Sequence, residues 1–203
     1  MPDRTGSKRG CRSAAADRPI SRFPVPDLED LPADVQARIA EVQAQAGFIP
    51  NVFLVLAHRP EEFRAFFAYY DALMLRDGGL SKAEREMIVV ATSAANGCLY
   101  CVVAHGAVLR VYARDSFLGD QLAANYRHAD ITPRQRAMLD FAVKMARRPE
   151  EIEEVDVQTL RVAGFSDEDI WDIGAITALF AMSNRLAHLT TMRPNEEFFS
   201  LGR

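Results

Sequence analysis

Two cysteines and a histidine carry the densest chemistry in this sequence: Cys98-Leu99-Tyr100-Cys101, with His105 four residues beyond the second thiol. On a helix, residues at i and i+3 share a face, so the two sulfurs lie close enough to approach or bond. Gly97 precedes the pair and places it in a first helical turn. There the free backbone N–H groups and the positive dipole end favour a thiolate. His105 falls on the same stripe, where an imidazole can take a thiol proton or stabilise the resulting anion. Glu86 is the fourth candidate. It is followed by Met87-Ile88-Val89-Val90-Ala91, apolar on every helical face, so its carboxylate is expected to be buried and in need of a partner. If the two helices fold back at Gly97, Glu86 reaches His105 as base and orienter of a triad-like relay.

Other readings of the same residues stand beside this one. A lone CxxC can be two inert buried thiols. Cys98, Cys101, His105 and Glu86 offer four zinc ligands, but structural zinc sites usually draw a second Cys/His cluster, which is lacking. No metal is therefore expected, and no organic cofactor either, because sulfur itself can supply the redox chemistry. Glu86 could also pair with Lys82 one turn earlier. Tyr100, between the thiols, is expected to face outward. His58, His128 and His188 have no thiol or carboxylate pattern around them.

The elements that must position these groups all read as helices, and the predicted class is all-α. Leu28–Gln45 carries spaced apolar residues and stops at Gly47. Asn51 is placed to cap a short helix to His58, and Pro60 opens one to about Leu75. Ser81-x-x-Glu84 has capping-box spacing ahead of a helix to Ala95, closed by Asn96-Gly97. A helix from Cys98 to about Tyr112 follows, then Ser116–Asn125. Thr132 caps one to Arg147, Pro149 opens one to Gly164, and Ser166 caps the last, to about Leu189. The run Ile170–Met182 is too short for the roughly 18 residues of a membrane span and contains Asp172; it reads as a buried helix.

At 203 residues the chain is long enough for one domain with a proper core. A net charge of −4 gives no overall basic field for nucleic acid or anionic lipid. Residues 1–24 are set apart as a flexible basic tail lacking a secretory apolar stretch, and 25–203 as the helical domain. Three cysteines, of which Cys11 lies in the tail, are too few for a disulfide scaffold. A reducing compartment, the cytoplasm, is the expected location.

The pattern Glu86, eleven residues, Cys98-x-x-Cys101, three residues, His105 resembles the signature of the AhpD-like alkylhydroperoxidases of the carboxymuconolactone decarboxylase superfamily. Gly47-Phe48-Ile49-Pro50-Asn51, Asn184-Arg185-Leu186 and Arg193-Pro194-Asn195 are similar to its peroxidase-related branch, and the likeness covers about 25–203. It implies a multi-helix fold around a central hairpin bearing CxxC, assembled as a dimer or a trimer of dimers. It also implies a thiol-dependent, antioxidant peroxidase acting on hydroperoxides. Carried over, Cys101 attacks the peroxide, Cys98 resolves it to a disulfide, and Glu86 acts through His105 as proton relay. A thiol or lipoyl-type donor would regenerate the pair. Helix position instead favours Cys98 as the more acidic thiol. Tyr100 stands where better-known members have a histidine, which bears on disulfide closure. The alternatives are a redox sensor or scaffold that uses the disulfide as a switch, and a non-redox lyase of the superfamily.

Overall fold

The computed structural model describes residues 18–203, and Cys11 with the rest of 1–17 lies outside them. The described residues contain helices and no strand, as the sequence predicts. In chain order the helices are α1 (Ala33–Ala46), α2 (Asn51–Leu56), α3 (Pro60–Met74), α4 (Lys82–Ala95) and α5 (Leu99–Ala113). They continue with α6 (Leu118–Asn125), α7 (Pro133–Arg147), α8 (Glu154–Val162), α9 (Asp167–Thr190) and α10 (Glu197–Ser200).

The middle of the molecule is α4, which packs against α5, α6, α7 and α9. Its sequence explains that place: every residue from Glu84 to Ser93 is buried, so no face is left for water. The capping box forms as read, with Ser81 Oγ accepting from the Glu84 amide at 3.1 Å and Glu84 Oε2 accepting from the Ser81 amide at 2.9 Å. Arg85, 1% exposed, reaches Asp172 of α9 at 3.1 Å, and Arg76 meets the same carboxylate at 3.2 Å. Asp172, the acid inside an apolar run, is thus a buried ion-pair partner. Gly79 lets the α3–α4 turn pass against α9, since a Cβ there would sit 2.1 Å from Asp169 Oδ1.

Several boundaries differ from the sequence expectation, each for a local reason. The Leu28–Gln45 helix is broken into a 3-10 turn (Leu28–Asp30) and α1, because Pro32 holds Leu31 extended at ψ 153°. Asn51 is no cap. Pro50 precedes the helix, while the Asn51 amide donates to Asn195 Oδ1 and its Nδ2 to the Arg193 carbonyl, both at 2.8 Å. The stretch from Pro149 to Gly164 is split into a 3-10 turn and α8, which Glu153 and Asp156 start with their own reciprocal cap. Ser116 stays outside α6, whose first amides are held by Asp115. The boundary at 24/25 runs through an attached segment: the Arg22 amide donates to the Thr190 carbonyl at 2.8 Å, and Ser21 is buried.

Candidate active site

The hairpin of α4 and α5 turns at Asn96-Gly97, where Gly97 adopts φ +67°, a left-handed value that glycine takes without steric cost. Cys98 is the N-cap residue of α5, one position earlier than a first-turn helical residue, with its amide donating to the Ser93 carbonyl at 2.9 Å. Cys101 then occupies the third helical position. Both are free thiols and both are buried, while Leu99 between them points out at 64% exposure.

Position and burial push the two thiols in opposite directions. The Cys98 pKa is held down to about 6, first by the Cys101 thiol that donates to its sulfur. Burial opposes this, and the Cys101 backbone amide and the nearby imidazoles of His188 and His105 favour the anion more weakly. Cys101 is pushed well up: its proton is held by Cys98, burial disfavours its anion, and the Cys98 charge repels it. Asn184 and Ser183 of α9 act in the other direction on Cys101, as hydrogen-bond partners of its sulfur. The reduced pair is therefore a thiolate at Cys98 bridged by the Cys101 proton.

Glu86, 2% exposed, lies 2.7 Å from His105 Nδ1. Lys82 instead turns its ammonium over the Tyr112 ring, 5.7 Å from the centroid. With Nδ1–H donating to the carboxylate, Nε2 of His105 is left as the proton acceptor. The imidazole is braced edge-on by Phe180, ring centroids 4.7 Å apart. Tyr100 does not face outward. It is buried, its hydroxyl accepts the Val52 amide at 3.1 Å, and burial pushes its pKa up. A phenol at this register fills the space beneath α2 and satisfies an otherwise free helix-start N–H.

Cys101, His105 and Glu86 line one cavity of about 520 Å³, whose walls are largely Phe48, Phe66, Phe67, Tyr70, Val108 and Phe180. Cys98 is not part of that wall. Tyr70 is half-buried in that wall, and desolvation, with the Glu86 charge nearby, keeps its hydroxyl protonated. The four residues singled out in the sequence thus come together on one hairpin. Ser183, Asn184 and His188 of α9 join them. No chemical role marked these three in the sequence, because the contact is made 82 or more residues away along the chain. Asn184 was marked only by the family resemblance, and Ser183 and His188 only by polarity on a helix with a largely apolar inner face. Among the described residues no group of three or more His, Cys, Asp or Glu is placed to hold a metal ion.

The family described as the carboxymuconolactone decarboxylase family matches residues 60–116, the stretch from α3 through α5. No curated protein matches the chain. Among solved structures, an uncharacterised peroxidase-related protein from Ralstonia eutropha JMP134, described as an alkylhydroperoxidase AhpD core, is 66% identical. The match covers 92% of this chain and 98% of that one, with a TM-score of 0.90. A peroxidase-related protein from Silicibacter sp. TM1040 is 44% identical over 94% of this chain and 100% of its own, with a TM-score of 0.88. The debrominase Bmp8 shares the fold alone, at 17% identity over 87% of this chain and 94% of its own, with a TM-score of 0.73. With two near full-length relatives of that kind, and the Glu-CxxC-His set on its central hairpin, the chain belongs to the AhpD-like branch of the carboxymuconolactone decarboxylase superfamily.

Proposed function

We propose that the protein is a thiol-dependent peroxidase that reduces organic hydroperoxides through Cys98 and Cys101. One observation carries the reading: Cys101 shares the wall of an apolar cavity with a His105–Glu86 pair 2.7 Å apart, and a low-pKa Cys98 stands three residues before it. Cys101 is the attacking sulfur because it borders the cavity, although Cys98 is the more acidic thiol.

In the cycle, the Cys101 proton passes to His105 Nε2 and the sulfur attacks the terminal peroxide oxygen. An S–O bond forms, the O–O bond breaks, and the departing alkoxide takes the proton from His105 as alcohol. Cys98, already a thiolate, attacks the Cys101 sulfenic acid. The disulfide forms and hydroxide leaves as water once protonated. Two thiols and one hydroperoxide thus give disulfide, alcohol and water. A dithiol donor, of low-molecular-weight or lipoyl type, restores the pair by exchange. We place this chemistry in the cytoplasm, where both thiols stay reduced.

The aromatic walls support bulky apolar peroxides as substrates over hydrogen peroxide, since pockets of roughly 300–1,000 Å³ suit small organic molecules. The test is turnover of cumene hydroperoxide, tert-butyl hydroperoxide and hydrogen peroxide with dithiothreitol or dihydrolipoamide as donor. Catalytic consumption that is lost in Cys98→Ser and in Cys101→Ser is the expected result. A single turnover per chain would make the protein a sensor instead. Activity on another substrate that survives both substitutions would assign it to the non-redox members.

A further inference from the structure

The mechanism asks Cys101 to carry negative charge although its surroundings hold its proton, and neither Glu86 nor His105 answers that by donating to its sulfur. Two residues of α9 are placed to do so. Ser183 Oγ is 3.9 Å from Cys101 Sγ, within reach of a sulfur hydrogen bond. Asn184 is 1% exposed and its amide is oriented by its neighbours. Its Oδ1 accepts from Asn96 Nδ2 at 2.9 Å, which fixes the other end as the donor. Its Nδ2 gives one proton to Ser93 Oγ at 3.0 Å and has a second on the Cys101 side. Asn96 is itself held, since its carbonyl lies 3.1 Å from His188 Nε2 and its amide donates to Thr92. An amide this buried would be costly to leave half-used. The last turn of α4 thus presets the rotamer of Asn184.

We propose that Ser183 and Asn184 form a donor pair that stabilises negative charge on Cys101 Sγ. The proposal rests on the dithiol chemistry of the proposed function. Its clearest use is in regeneration. A thiol donor's sulfur forms a bond with Cys98 Sγ, the Cys98–Cys101 bond breaks, and the electron pair leaves on Cys101. The O–H of Ser183 and the N–H of Asn184 receive that charge in the buried wall of the cavity. The same donors hold the anion ready for the next peroxide. Hydrogen bonds to charged sulfur or oxygen favour the charged form, so their removal must raise the thiol pKa.

The experiment uses a Cys98→Ser background, in which Cys101 is the reactive hairpin thiol, and follows its alkylation by iodoacetamide from pH 6 to 11, located by peptide mass. Ser183→Ala is expected to slow alkylation at a fixed pH below the midpoint roughly tenfold, about what one charge-assisted hydrogen bond supplies. Asn184→Asp, nearly isosteric but anionic, should shift the profile further to high pH. In the chain with both cysteines, each change should slow disulfide opening by excess dithiothreitol by a similar factor. A merely structural role would lower the melting temperature and leave these profiles in place. An unmoved profile in folded Ser183→Ala overturns the proposal even if Asn184→Asp does not fold. None of these readouts needs peroxide. Absence of peroxide turnover would sink the functional reading, while the alkylation profiles would still show whether the donor pair acts on Cys101.

Discussion

At Cys98 the thiol proton leaves near pH 6, whereas Cys101, three residues on, keeps its own well above the ordinary range. An unfolded chain releases both near 9.0. Between about 6 and 9, then, the unfolded state binds more protons at Cys98 than the folded one, and stability rises with pH. Above that window the raised Cys101 reverses the sign, since the unfolded thiol ionises first. Reduced protein should therefore melt higher at pH 8 than at pH 6 by a margin that Cys98→Ser removes; equal pH dependence in the two would contradict the low pKa. Glu86 and His105 belong to the same scale. If they act as one unit, Glu86→Gln and His105→Gln should each slow peroxide turnover by about 10²–10⁴, and the double variant hardly more. Additive losses, or singles at wild-type rate, would mean that the 2.7 Å contact only stabilises the hairpin.

The hairpin sets these residues in place, and its punctuation was readable in advance. Ser81 and Glu84, Thr132 and Gln135, and Ser166 and Asp169 all form reciprocal caps, because a side chain three residues ahead satisfies a local donor wherever the helix packs. What was not readable lies across the chain. Tyr100 turned inward because α2 lends it an amide, and Asn51 gave up capping because its side chain is taken by the Arg193 carbonyl, 142 residues away, while Asn195 holds its backbone amide. Periodicity has no access to such pairs. Two glycines test the turns. Gly79→Ala should lower the melting temperature more than Gly97→Ala: the first meets Asp169 at 2.1 Å, while the second has open space and suffers only the left-handed backbone, about 1–2 kcal/mol. The reverse order in a thermal melt would mean that the α3–α4 turn yields easily.

For the whole molecule, the resemblance that names the family also implies assembly, and α9 offers a surface for it. Trp171 at 72%, Met182 at 46% and Leu189 at 55% exposure lie along its outer side, interleaved with Gly174, Ala175 and Ala178. Light scattering at micromolar concentration should report a dimer or larger, and Trp171→Glu with Met182→Glu should shift it towards monomer. A wild-type monomer would remove this expectation. Because Ser183 and Asn184 occupy the inner side of the same helix, disturbing the outer side should weaken the thiol chemistry only through the position of α9. Removal of residues 1–17 should leave the melting temperature unchanged, whereas removal through Arg22 cuts the hydrogen bond to Thr190 and should lower it.

The N-cap position of Cys98 also has a thermodynamic sense. A thiolate held at pKa about 6 stabilises the reduced pair relative to the disulfide. At pH 7 an ordinary thiol is almost wholly protonated, so this stabilisation is roughly tenfold in the redox equilibrium, or about 30 mV in reduction potential for a two-electron couple. Cys101 adds nothing at that pH, being protonated in either environment. The hairpin is thereby biased to wait as a dithiol: a glutathione buffer should leave it reduced at poises where an unperturbed CxxC would already have closed.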